Sequence, residues 1–467
     1  MPNSPRPIVH RSALGGVFIG VLVSAVAAGS IAVPAVASTT PSSTWEVHAR
    51  SSKVPTSAYA IVKAIAVGSS PWAVAVNDAS DTVYVTNGSS NSVSVIDGRT
   101  GNVTSTIEVG LQPWGVAVNQ LTGTVYVTNT GSNSVSVIDG RTATVTNTIG
   151  VGDEPQAVAV HNETGNVFVT NAGSNSVSVI NGRSATVTST VTVIGPPFGV
   201  TVNQATDTVY VVGVGPSSAS NSGASGVTSP GYVSVIDPRN EVLTAQYSFG
   251  VGPWSVAVHD TDNRVYVTDT WLSAVSAFSG ANISQWSSVN GGYVPWAVAV
   301  DQANGTTYVS NNGISPSGAY AGLVGIFTGS KLGSSITLQS ATGQPPSVSR
   351  GIAVDQAGSS AGVAYVAALN SNAVYMVGHV TPTSAPGSGA EGDTVRISIS
   401  VPHLSTAMAL DDATVASVLF GGIPGSALTP GVGNTWTVKA PRGKGTVPVM
   451  VTFNGGQRAR AGIFTYR

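Results

Sequence analysis

The chain has 467 residues, only 9% of them charged, a formal net charge of −2, 55 glycines and no cysteine. Such a length buries a large core, and the near-neutral balance excludes the basic field that holds nucleic acid or an anionic membrane. A disulfide framework and a thiolate metal site or nucleophile are excluded with the missing cysteine, and short Val-rich runs between Asn, Gly, Ser and Thr point to an all-β protein.

The N-terminus carries Arg6, His10 and Arg11, then SALGGVFIGVLVSAVAAG from Ser12 to Gly29 and a small-residue site at Ala35-Val36-Ala37. This order predicts an export signal over 1–37, with secretion or envelope association of the mature chain and no membrane span after cleavage. An uncleaved anchor is the competing reading, because the apolar run is long enough to span. Residues 38–57 are polar and read as a flexible spacer.

From there the chain repeats. Prolines at 71, 113, 155 and 197 are 42 residues apart, followed by 253 and 295, with Ser349 in the same role in a degenerate seventh copy. Two longer intervals hold insertions, 213–231 and 311–320. Each unit has four period-2 runs, here called strands a to d. In the second unit they are GVAVN (115–119), TVYVTN (124–129), SVSVIDG (134–140) and TVTNTIGVG (144–152). Alternation over such short runs predicts half-buried strands, and Asp139-Gly140 is a hairpin signal. Four strands in about 42 residues is the pattern of a propeller blade.

Tyr84-Val-Thr-Asn87, Tyr126-Val-Thr-Asn129, Phe168-Val-Thr-Asn171 and Tyr266-Val-Thr-Asp269 resemble the YVTN family of β-propeller repeats over about residues 57–380. That family occurs in exported and cell-surface proteins, and the resemblance implies an architecture without a single activity. Seven a, b and c strands are present, but no d strand follows the last c strand at 373–378. The run Ala58–Gly68 matches a d strand, so a seven-bladed ring over 58–380 closed by the N-terminal strand is expected. Closure of this kind leaves no open sheet edge.

Residues 381–390, TPTSAPGSGA, read as a linker. In 391–467 the repeat is gone. Val418-Leu-Phe-Gly-Gly422, Ala440-Pro441, Val449-Met-Val-Thr452, Gly455-Gly456 and Phe464-Thr-Tyr466 resemble the IPT/TIG immunoglobulin-like domain, which implies a small β-sandwich. Its opening segment, 400–414, departs from that pattern.

The position after each anchor proline falls at the d–a turn, on the upper rim beside the channel. Round the ring it is Trp72, Trp114, Gln156, Phe198, Trp254, Trp296 and Arg350. One reading is an aromatic-lined mouth that stacks on sugars, flat ligands or partner side chains. The other has each indole wedged between blades. Asp153 and Glu154 occupy the d–a turn beside Gln156 and join the candidate ligand-binding set; by default they are a solvated acidic turn. Asp97, Asp139, Asn181 and Asp237 read as turn formers, and His161 and His259 as solvated turn residues on the lower face. No catalytic constellation, metal cluster or cofactor motif is legible, and none is assigned.

The expected function is therefore binding or scaffolding by a monomer that presents its upper rim to a protein or carbohydrate partner. An enzyme of lactonase or lyase type at the channel mouth is the alternative, with Asp153, Glu154, Asp269 and Arg350 as its polar candidates. It needs those groups to converge on one pocket.

Overall fold

A computed structural model of the chain describes residues 55–467 apart from 216–229, 293, 315–319, 330, 339–347, 358–360, 402–409, 412–413 and 455. The expected export signal, most of the spacer, most of the first insertion and half of the second lie outside the described residues. No α-helix occurs among the described residues, and none is long and apolar enough to cross a membrane.

The repeated alternation produces repeated sheets. Six separate four-stranded sheets follow in chain order, each antiparallel and meandering from strand a to strand d. In the first they are Pro71–Asn77, Thr82–Asn87, Ser92–Asp97 and Asn102–Glu108. A further set joins Ser349–Val354, Ala364–Ala368 and Ala373–Ala385 to Ala58–Ala66, which pairs antiparallel with the last of these from Ala58↔Val380 to Ala66↔Ala373. The N-terminal strand thus supplies the d position of the final set.

Strand a of each sheet contacts strand a of the next, and Ser349–Val354 contacts Pro71–Asn77, so the contacts close a cycle. The core lies between neighbouring sheets. One layer packs Val93, Val95 and Ile107 of the first sheet against Val116, Val125 and Val127 of the second.

The letters of the repeat each have a bonding role. Thr86 Oγ accepts from the Ala73 N–H of its own sheet (3.0 Å) and donates to the Trp114 carbonyl of the next (2.7 Å). Thr128, Thr170 and Thr268 donate likewise to the carbonyls of Gln156, Phe198 and Trp296. The Asn87 amide donates to Ser92 and Ser94 at 3.2 and 3.0 Å. The Tyr84 hydroxyl donates to Gly140 of the next sheet, and the Tyr365 hydroxyl reaches Gly98 across the closure. Asp97, Asp139, Asn181 and Asp237 accept from backbone N–H groups two and three residues on, as turn formers do.

A second ring of bonds encircles the lower end of the channel. Just after strand a the seven units carry Asp78, Gln120, Asn162, Gln204, Asp260, Gln302 and Gln356. Each backbone N–H donates to the side-chain oxygen of the next residue in this series, at 2.7 to 3.2 Å. The last, Gln356 N–H, returns to Asp78 Oδ1 at 2.9 Å. The glutamines also donate back to the preceding sheet, as Gln120 does to the Val76 carbonyl at 2.8 Å. Backbone donors that would otherwise face the channel are satisfied in this way.

His161 is not the solvated turn residue expected. It is fully buried, with Nε2 2.8 Å from Asp207 Oδ1, while Thr164 N–H donates to Nδ1. Asp207 also pairs with Arg239, whose hydrogen bond is the main cause of its lowered pKa. His259 lies 2.7 Å from Asp262. Neither histidine is without a partner.

The strand Ala373–Ala385 does not stop at the ring. Its second half pairs with Thr394–Ser400, which continues to Thr435–Lys439 and Ser426–Pro430. The segment 381–390, read from sequence as a linker, thus contains strand residues at Thr381–Ala385 and Ser388–Gly389. A five-stranded sheet, which includes Val415–Phe420, Thr446–Phe453 and Arg458–Tyr466, completes the C-terminal region. Ile397, Trp436, Val451 and Phe464 share one core, and that core continues into Val62 and Val74 of the ring.

Candidate binding mouth at the upper rim

The rim residues are aimed by a backbone device. Every strand a changes register just after its first residue, between Pro71/Val74, Pro113/Val116, Pro155/Val158, Pro197/Gly199, Pro253/Ser255, Pro295/Ala297 and Ser349/Ile352. Bulges re-aim side chains at rims. In each, the residue after the anchor lies within the break.

The next position is always small: Ala73, Gly115, Ala157, Gly199, Ser255, Ala297 and Gly351. Neighbouring sheets crowd together at this level. A Cβ on Gly115 would lie 2.5 Å from the Gln156 carbonyl, and one on Gly351 2.7 Å from that of Trp72. These seven residues form the floor of a cavity of about 150 Å³. Its wall is Trp72, Trp114, Phe198, Trp254, Trp296 and Arg350.

The wall is a chain of ring contacts. Trp72 stacks on Trp114 with centroids 3.9 Å apart, Phe198 stacks on Trp254 at 4.4 Å, and Trp254 meets Trp296 edge-on at 4.7 Å. The Arg350 guanidinium bridges the two groups, 3.9 Å from the Trp296 ring and 4.8 Å from that of Trp72. All six side chains are half-buried. The aromatic side chains therefore pack on one another around the channel mouth, stacked or edge-on, and all of them line the cavity.

Arg350 is electrostatically unusual. Its Nε and Nη1 are buried without a hydrogen-bond partner, as is Nε1 of neighbouring Trp296. Burial lowers the guanidinium pKa to about 10, since desolvation disfavours the charged form.

The other candidates stand apart from this cavity. Gln156, half-buried, leaves a gap in the aromatic wall between Trp114 and Phe198 and does not line the cavity. Asp153 and Glu154 are exposed on the d–a turn. Asp153 Oδ1 accepts from the Asn133 amide, and Glu154 N–H donates to Asn133 Oδ1, both at 3.0 Å. Asp269 is fully buried at the end of its strand b, where Ser276 Oγ donates to it. Among the described residues no group of three or more histidines or carboxylates is arranged to hold a metal ion.

The position series of the rim is plain in the sequence. The unpaired donors of Arg350 and Trp296, and the small-residue floor, went unrecognised. The floor had a signal, because one column of the repeat holds only Ala, Gly or Ser.

No protein-family model matches the chain, and no curated protein does. Among solved structures it is similar to a Kuenenia stuttgartiensis hydrazine synthase, at 18% identity and a TM-score of 0.54, over 66% of this chain and 95% of that one. At that identity the likeness concerns the fold alone; with the cyclic contacts between strands a, it identifies this chain as a repeat protein of the β-propeller type.

Proposed function

We propose that this is an exported binding protein whose upper rim receives a ring-shaped group, a sugar of a glycan or a flat side chain of a protein partner. On this reading the ring is a seven-bladed YVTN-type propeller closed by its N-terminal strand. The C-terminal region is an IPT/TIG-like sandwich that serves as a spacer or second contact module. The observation that carries the proposal is the aromatic wall: four tryptophans and a phenylalanine, each half-exposed, surround one small cavity. Indoles needed merely as wedges between sheets would be fully covered, whereas these stay partly exposed around a cavity, where aromatic side chains suit contact with rings. The enzymatic alternative draws less support, because Asp153, Glu154 and Asp269 do not line the cavity that holds Arg350.

The test is intrinsic tryptophan fluorescence of the mature protein titrated with a panel of glycans and envelope fragments, with Trp72→Ala and Trp296→Ala in parallel. A saturable change lost in both variants, with their melting temperatures lowered by only a few degrees, supports the reading. No response to any member, with melting strongly lowered in both variants, would reduce the tryptophans to structural residues.

A further inference from the structure

We infer that the mouth selects acids: a carboxylate borne on a six-membered ring, as in a uronic acid, sets its ring against the indoles and its carboxylate on the edge of the Arg350 guanidinium. This deepens the binding reading above and rests on it. The Arg350 guanidinium carbon lies over the Trp296 and Trp72 rings, 3.9 and 4.8 Å from their centroids, contacts that leave its in-plane edge without a polar partner. That edge carries the N–H donors, in the fork that matches a carboxylate.

Those donors are unspent. Nε and Nη1 are buried and give no hydrogen bond, and Trp296 Nε1 in the same wall gives none either. Every orphaned polar atom of this wall is thus a donor, and the partner that satisfies them is an acceptor. None of the ion pairs formed among the described residues involves Arg350. A buried unpaired charge is costly, and an aromatic side chain at this position would avoid the cost, as it does at five of the other six units. The lowered pKa of the guanidinium is the same cost seen through its proton.

Size sets the rest. The cavity is about 150 Å³, a volume that accommodates a single ring such as benzene. The cavity thus takes one ring at a time, so recognition falls on a single ring of the ligand.

The test is isothermal titration calorimetry of the full chain with glucuronate, glucose, benzoate and acetate. Glucuronate or benzoate should bind at least about tenfold more tightly than glucose and than acetate, because ring and charge are both required. Their ratio to one another tells a sugar acid from an aromatic acid. Arg350→Met should lose at least about tenfold in affinity for the acid, a far larger factor than any change in its glucose affinity, with a melting temperature equal to or above that of the parent. Arg350→Lys, which keeps the charge without the fork, should fall between. Equal affinity for glucose and glucuronate, or full acid binding by Arg350→Met, overturns the inference while the binding reading survives on the neutral ring. If none of the four ligands binds and the glycan panel also leaves the fluorescence unchanged, both fall together.

Discussion

Replacing Asp269 with Asn should stabilise the protein at neutral pH. The equivalent positions hold Asn87, Asn129 and Asn171, whose amides each donate to two serines at 2.9 to 3.2 Å. Asp269 has no N–H to give. Ser276 Oγ donates to its Oδ2 instead, and Oδ1 is buried without a partner. The residue is fully buried, and desolvation pushes its carboxyl up to about 6 from 3.8. A folded pKa above the unfolded one means that the folded chain binds more protons between about pH 4 and 6. Stability from this group is therefore fully present below about pH 4 and lost as pH rises through 6. At 1.36 kcal/mol per pH unit, the loss is about 3 kcal/mol at pH 7.5 and about 1 kcal/mol at pH 4.5. An asparagine avoids it and donates to Ser276, although Ala274 stands where the other sheets offer a second serine. Urea unfolding of parent and Asp269→Asn at both pH values is the assay. The variant should be more stable by up to about 3 kcal/mol at pH 7.5, and that advantage should shrink to about 1 kcal/mol at pH 4.5. An advantage independent of pH, or a destabilised variant at pH 7.5, would refute the reasoning.

Two further outcomes follow from the ring. Deleting Ala58–Ala66 removes buried Ile61, Val62 and Ile65 and strips a ladder from the closing sheet. At about 1.5–3 kcal/mol for each buried side chain, the loss rivals the whole stability of an ordinary domain. Calorimetry should show the cooperative unfolding of the ring abolished or moved far down in temperature. Gln120→Ala unpairs the Asp78 N–H and the Val76 carbonyl, now bonded at 3.0 and 2.8 Å. It should cost about 1–3 kcal/mol and speed hydrogen exchange at the Asp78 amide, measured by NMR or mass spectrometry.

Much of the architecture was legible because a period of 42 residues writes the same strand four times in each unit. The closing role of Ala58–Ala66 was legible too, since its alternation matched a d strand and the last unit lacked one. The rim position could be placed by strand order alone. What escaped the reading depends on contacts between residues a whole unit apart or more. The lower girdle joins Gln356 to Asp78, and nothing local in either residue announces the bond. Its members form a column of Asp, Gln and Asn, a pattern that becomes meaningful once the ring geometry is known. Arg350 looked like a departure from an aromatic series, and its role came from the two indole faces that enclose it. His161 misled because a polar residue after strand a is expected to turn to solvent, whereas in this ring Asn77, Asn119, Asn203, Asp301 and Asp355 are buried at the same position and Asp207 from the next unit covers His161.

The most direct test of the central claim is ¹⁹F NMR of the protein labelled with 5-fluorotryptophan, titrated with glucuronate and assigned by single substitutions. The account predicts that the resonances of Trp72, Trp114, Trp254 and Trp296 shift together and saturably, while those of Trp271, Trp286 and Trp436, outside the cavity, stay in place. Shifts confined to Trp271 or Trp286, or a spectrum in which the four mouth resonances do not move, would contradict it.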